Sequence, residues 1–119
     1  MTDDTWHLLE AYPAAALKEW RLPSRGYKGP KNVAVRAVLV GELLRGLGEL
    51  RPAAARVLTG ASDHVVDAFV CAVVAAAARL GLTQGPEPGD AAAARSEGWI
   101  DVPTASLGDI LGAATEERR

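Results

Sequence analysis

Apolar residues change their spacing along the chain from every second position to every third or fourth, and those changes mark its elements. Thr5–Tyr12, TWHLLEAY, alternates: Trp6, Leu8, Glu10 and Tyr12 fall on one face, and His7, Leu9 and Ala11 on the other. This predicts a strand, ended by Pro13. Pro13 suits the first turn of a helix over Ala14–Trp20, because no helical N–H is lost there. Leu22–Pro30, LPSRGYKGP, is punctuated by Pro23, Gly26, Gly29 and Pro30 and reads as a loop. Over Lys31–Leu50, Val35, Leu39 and Leu43, with Val38, Val40, Leu44 and Leu47, recur at helical spacing and predict a long helix. Gly41, Gly46 and Gly48 weaken it toward its end. Pro52–Leu58 predicts a short helix stopped by Gly60.

Ser62 is a good N-cap for a helix from Asp63 to about Leu80, with Gly81 as the residue that ends it. Its larger side chains, Val65, Val66, Phe69, Val70 and Val73, form one stripe. The rest of its surface is mostly alanine, which lets a second layer come close, so this helix is expected to be the central one. Thr83–Gly89 reads as a flexible loop, Asp90–Ser96 as a short helix, and Trp99–Val102 as a short strand stopped by Pro103. Ser106–Ala114 predicts a last helix, and Thr115–Arg119 a charged tail. The expected architecture is one mostly helical α/β domain over residues 1–119, with a strand near the N-terminus, three to five helices and one short late strand.

A chain of 119 residues is enough for one core. No apolar run reaches the ~18–20 residues of a membrane span. MTDDTW has no basic or apolar leader pattern, and a lone cysteine, Cys71, suits a reducing compartment, so a cytoplasmic location is expected. Cys71 itself is expected to be an inert buried thiol. The net charge of −2 argues against a generally nucleic-acid-binding surface. Its distribution is uneven, however. Lys18, Arg21, Arg25, Lys28, Lys31 and Arg36 face a single acid, Glu19, in one stretch that also carries Trp20 and Tyr27. Basic residues interleaved with aromatics can follow a phosphate backbone and stack a base. The same stretch also reads as a solvated loop between helices.

Asp67 stands out chemically, as the single charged residue in Val65–Ala78, VVDAFVCAVVAAAA. A bare carboxylate there costs several kcal/mol unless paired, protonated or bound to a cation. Helix geometry places Asp63 and His64 one turn before it on the same side. The three form a polar cluster at a helix start, beside an apolar wall. Asp63 also fits simple first-turn capping, and Asp67 a buried ion pair. Asp67→Ala is expected to be neutral or stabilising in the metal-free protein, because removing a solitary buried carboxylate relieves its desolvation. Glu10 is the other candidate acid. If its strand lies beside this helix, Glu10 and Asp67 can share Mg²⁺ or Mn²⁺, which prefer oxygen ligands. In two-metal phosphodiester hydrolysis such carboxylates hold cations ~4 Å apart that activate water and stabilise the leaving oxygen. One cysteine excludes a Cys-rich zinc site, and no Gly-rich phosphate loop is present.

Three segments, EAYPAAALKEWRLPSRGYKG from Glu10, DHVVDAFVCA from Asp63 and EGWIDVP from Glu97, occur in an order that resembles the C-terminal half of the domain-of-unknown-function family four-two-nine. The resemblance runs from about Leu8 to Pro103. It implies a ribonuclease H-like fold and a predicted nuclease activity. By that resemblance Glu10 matches the family's strand acid, Asp67 the acid of its C-terminal helix, and Asp63 or His64 an accessory polar group. Asp63 then joins Glu10 and Asp67 as a metal ligand, with Mg or Mn as cofactor. Lys18, Arg21, Arg25, Lys28 and Lys31 would meet nucleic acid. Such folds open with a strand bearing a first catalytic Asp in a Gly-Asp-Gly-like stretch, which does not precede Thr5. The expectation is therefore a metal-dependent nuclease that is incomplete or inactive alone. The strand Thr5–Tyr12 would also lack its usual sheet neighbour, so a homo-oligomer or partner chain is expected to cover the edge. The alternative is a non-catalytic interaction or oligomerisation module, or a truncated gene product.

Overall fold

The computed structural model describes residues 9, 10, 12–84, 99, 100 and 102–117. Strand β1 is Leu9–Glu10, and the chain leaves it into helix α1, Pro13–Glu19, with proline in the first turn. The α1 helix ends at Trp20. The Arg21 N–H then bonds the Lys18 carbonyl at 3.0 Å, and the Leu22 N–H bonds the Leu17 carbonyl at 2.8 Å. These paired bonds form a Schellman closure. Arg21 sits at the left-handed position of that closure, with φ 60°, where glycine is usual.

A 3₁₀ turn at Pro30–Asn32 opens α2, Val33–Arg45. The expected helix to Leu50 stops early, at Gly46, because Gly48 takes φ 54° and a new 3₁₀ turn, Gly48–Leu50, starts α3, Arg51–Leu58. Gly46 also admits a neighbour: a β-carbon there would lie 3.0 Å from Leu107 Cδ2. Helix α4, Asp63–Arg79, is capped by Ser62, whose Oγ accepts from Val65 N at 3.3 Å. It closes through Gly81, at φ 74°, with the same bond pattern as α1. Both ends agree with the sequence reading.

Strand β2, Thr83–Gln84, lies where a loop is expected. The late strand is split: β3, Trp99–Ile100, runs parallel to β1, whereas β4, Val102–Pro103, runs antiparallel to β2. So β1 pairs with β3 within the chain, a neighbour that the sequence reading did not assign to it. Helix α5, Leu107–Glu117, begins under a Ser106 cap and takes in Thr115–Glu117, read from sequence as tail. The expected helix at Asp90–Ser96 and the first part of the expected strand, Thr5–Leu8, lie outside the described residues. Among the described residues the fold is mostly helical, with two short two-stranded pairings.

Helix α4 is the hub, as expected, and α1, α3, α5, β2 and β4 pack against it. Its buried line is Val66, Val70, Val73, Val74 and Ala77, while Val65 turns outward. Leu17, Leu39, Leu43, Leu58 and Ile110 complete the core without exposure. Each fully buried aliphatic of this kind contributes roughly 1.5–3 kcal/mol of transfer free energy. The inward face of α2 is Arg36, Leu39, Val40 and Leu43, whereas Val35 and Val38 are exposed. A charged residue therefore holds a core position that the apolar periodicity assigned elsewhere.

Candidate functional site

The two acids of α4 and the loop before α2 meet at the start of that helix. Tyr27, fully buried, donates its hydroxyl to Asp67 Oδ1 at 2.6 Å. Lys28 Nζ lies 3.2 Å from Asp67 Oδ2. The Gly29 N–H donates to Asp63 Oδ2 at 3.2 Å, and the His64 N–H to Asp63 Oδ1 at 3.0 Å. The consecutive residues Tyr27, Lys28 and Gly29 are thus each tied to an acid in the first two turns of α4. The spacing follows from helix geometry: residues four apart lie on one face, so Asp63 and Asp67 stack along the same side.

Arg36 fixes this loop from α2. Its Nη1 donates to the Tyr27 carbonyl at 3.0 Å and to the Gly29 carbonyl at 2.9 Å, and its Nε to the Ala61 carbonyl at 3.0 Å. One guanidinium therefore joins the loop to the segment that leads into α4. Its rigid fork of donors suits several carbonyls at once, which a lysine cannot match. Sequence reasoning placed Arg36 in the basic stretch and missed this role. The legible signal was an arginine at helical spacing with Leu39, Val40 and Leu43.

Among the described residues the surroundings shift the protonation of Asp63, Tyr27 and Cys71. The Gly29 N–H is the main reason that the Asp63 carboxyl is held below the usual carboxylate range, with His64 and Arg36 adding to it. Burial, then the hydrogen bond and charge of Asp67, push the Tyr27 hydroxyl well above its ordinary value. Burial, then Asp67, raise the Cys71 thiol. Cys71 is half-buried rather than deep in the core, and a raised thiol suits the expected inert role.

The residues singled out in the sequence divide into groups. Asp63 and Asp67 are brought together. His64 is 92% exposed and reaches no closer than 3.9 Å to Asp63 with its Nε2. Glu10 is the second residue of β1, paired with Ile100; its side chain lies outside the described residues. Lys18 lies in the last turn of α1, where its charge complements the helix C-terminus. Lys18, Arg21, Arg25, Lys28 and Lys31 are all exposed, whereas Arg36 is withdrawn into the protein. Tyr27 is too buried to stack a base, and Trp20 spends its indole N–H on the Ala105 carbonyl at 3.1 Å. The aromatic half of the expected base-stacking pattern is therefore structural.

The fit to a divalent cation is narrow. Asp63 gives both oxygens to backbone N–H groups, and Asp67 Oδ1 is held by a buried hydroxyl. Asp67 Oδ2 is different: its partner is a lysine whose side chain is 62% exposed. Among the described residues no three His, Cys, Asp or Glu side chains cluster as a metal-binding group. Asp67 Oδ2 is thus the one oxygen of the two acids held by neither a backbone N–H nor the tyrosine, and the group facing it is itself a cation.

Residues 2–92 match the family described as "Protein of unknown function (DUF429)". The chain belongs to this DUF429 family. The match covers β1 through β2 and so includes both acids and the Tyr27–Gly29 loop. No curated protein and no solved structure matches the chain. No helix among the described residues is long and apolar enough to cross a membrane.

Proposed function

We propose that this DUF429 chain is part of a metal-dependent nuclease of the ribonuclease H-like class, with Asp67 and Glu10 as the acids that would hold Mg²⁺ or Mn²⁺. The observation that carries this reading is the state of Asp67. One of its oxygens is fixed by Tyr27 and the other faces the exposed ammonium of Lys28. Bound there, the cation would supply a Lewis acid and an activated water for phosphodiester hydrolysis. Tyr27 would orient the Asp67 carboxylate. Asp63 would hold the loop rather than the metal, since both its oxygens serve backbone N–H groups. Exposed Lys18, Arg21, Arg25, Lys28 and Lys31 would meet phosphates, and His64 would assist at the rim. Because the described donors are few, activity is expected to require a second copy or a partner chain that completes the site.

Calorimetric titration with Mn²⁺ of wild type and Asp67→Asn tests this reading. Binding that disappears in Asp67→Asn supports it, and equal weak binding in both rejects it.

A specific observation favours a second reading. Asp63 and Asp67 are both engaged by the loop, and Val33, Val38 and Val57 stand exposed on α2 and α3. A non-catalytic interaction module would use the acids only as a latch. It predicts no metal binding and a stable oligomer in light scattering.

A further inference from the structure

We infer that this chain pairs with a second copy of itself through the outer face of α2, in an antiparallel, two-fold arrangement centred on Ala37. The inference rests on the second reading's expectation of self-association, names the surface that carries it, and involves no metal. A surface helix normally turns charged residues to solvent. Helix α2 does not. Between Lys31 and Glu42 the one charged residue is Arg36, and it is buried. The exposed side is Val33, Ala34, Val35, Ala37, Val38 and Gly41. Val33 and Val38 are each 59% exposed. A contiguous apolar face of this kind marks a contact surface.

Shape, spacing and charge select a second copy as the occupant. Gly41 stands inside a helix, where glycine is unfavourable. A β-carbon there would meet nothing within 4 Å, so packing among the described residues does not require the glycine. Gly46 differs, since Leu107 occupies the space beside it. Gly41 instead opens a notch onto a groove of about 330 Å³ between α2 and the end of α3, lined by Ala37, Val40, Gly41, Leu44, Leu58 and Gly60. Val33, Ala37 and Gly41 are four residues apart and so lie along one side of α2. With the two-fold axis at Ala37, Val33 of each copy faces the Gly41 notch of the other, as an isologous contact requires. The small Ala37 side chain lets the two helices come close at the axis. Lys31 stands at the start of the face and Glu42 near its end. Antiparallel pairing sets Lys31 of one copy beside Glu42 of the other, twice over, and opposes the two helix dipoles. Glu42 already pairs with Arg45 at 3.6 Å, yet its side chain stays 38% exposed and can accept a second cation.

The test is sedimentation velocity of the whole chain over a concentration series. Wild type should form a dimer that dissociates in the micromolar range, as small interfaces do. Gly41→Glu should stay monomeric throughout, because it fills the notch with a charge. Glutamate is the better helix former, so the variant should keep its far-ultraviolet circular dichroism. Ala37→Glu, at the axis, gives a second and independent block. Lys31→Glu and Glu42→Lys should each weaken the dimer severalfold, by up to roughly fivefold per exposed pair, and the double variant should return to near wild type. A wild type that is monomeric at every concentration overturns both this pairing and the oligomer of the second reading. A dimer that survives Gly41→Glu and Ala37→Glu overturns the α2 face and leaves the oligomer standing on another surface. A double variant with no recovery overturns the antiparallel register, and an assembly larger than a dimer overturns the two-fold arrangement.

Discussion

The Tyr27 hydroxyl donates to Asp67 Oδ1 at 2.6 Å, across 40 positions of sequence, and the tyrosine ring is fully buried. Asp67 is therefore not the solitary carboxylate that the sequence suggests, and the stability prediction changes sign. Asp67→Ala leaves a buried hydroxyl without its acceptor and Lys28 without its partner. It should destabilise by about 1–3 kcal/mol in urea unfolding, rather than being neutral. Tyr27→Phe should cost about 1–2 kcal/mol, as loss of a hydrogen bond to a charged, half-buried group. A neutral Asp67→Ala would mean that the bond contributes nothing.

Arg36 should be among the most sensitive polar positions. Arg36→Met removes the donor for the carbonyls of Tyr27, Gly29 and Ala61 together. Unsatisfied buried carbonyls cost about 1–3 kcal/mol each, offset where water can enter, so a loss of about 2–4 kcal/mol is expected in denaturant melts. Arg36→Lys should recover little of it, because an ammonium cannot reproduce the fork.

Stability should fall at both pH extremes for separate reasons. The Asp63 carboxyl is lowered in the fold, first by the Gly29 N–H. Its contribution is present above the unfolded value of about 3.9 and is lost as pH drops through the lower folded value. The Tyr27 hydroxyl is raised, first by burial and then by Asp67. Its contribution is full below about 10 and is lost as pH climbs toward the folded value. Unfolding free energy measured against pH should show a shallower acid limb in Asp63→Asn and a shallower alkaline limb in Tyr27→Phe. Identical limbs in wild type and variants would refute both assignments.

Arg21 holds φ 60° at the closure of α1, whereas the matching closure of α4 uses Gly81. A side chain at that position costs about 1 kcal/mol. Arg21→Gly should therefore stabilise by up to about 1 kcal/mol in thermal or urea unfolding. Destabilisation would mean that the Arg21 side chain makes contacts that outweigh the strain.

Features set by near neighbours were legible in the sequence. Pro13 opens α1, and Ser62 and Gly81 bracket α4, because caps depend on residues within one turn. The stacking of Asp63 and Asp67 was legible for the same reason. What was not legible depends on distant partners. Nothing local told that Tyr27 and Lys28 would fold back onto Asp67, or that Arg36 would take a core position from Val35. The split of the late strand was hidden too, since β3 and β4 are too short for alternation to show and each answers to a different partner. The mid-chain break after Arg45 was half visible: Gly46 and Gly48 mark weak points, but a glycine alone does not say whether a helix bends or ends.

The most direct measurement is an anomalous-scattering map from crystals of the whole chain grown with Mn²⁺. A peak at bonding distance from Asp67 Oδ2 is the predicted result. A map without a peak there would contradict it.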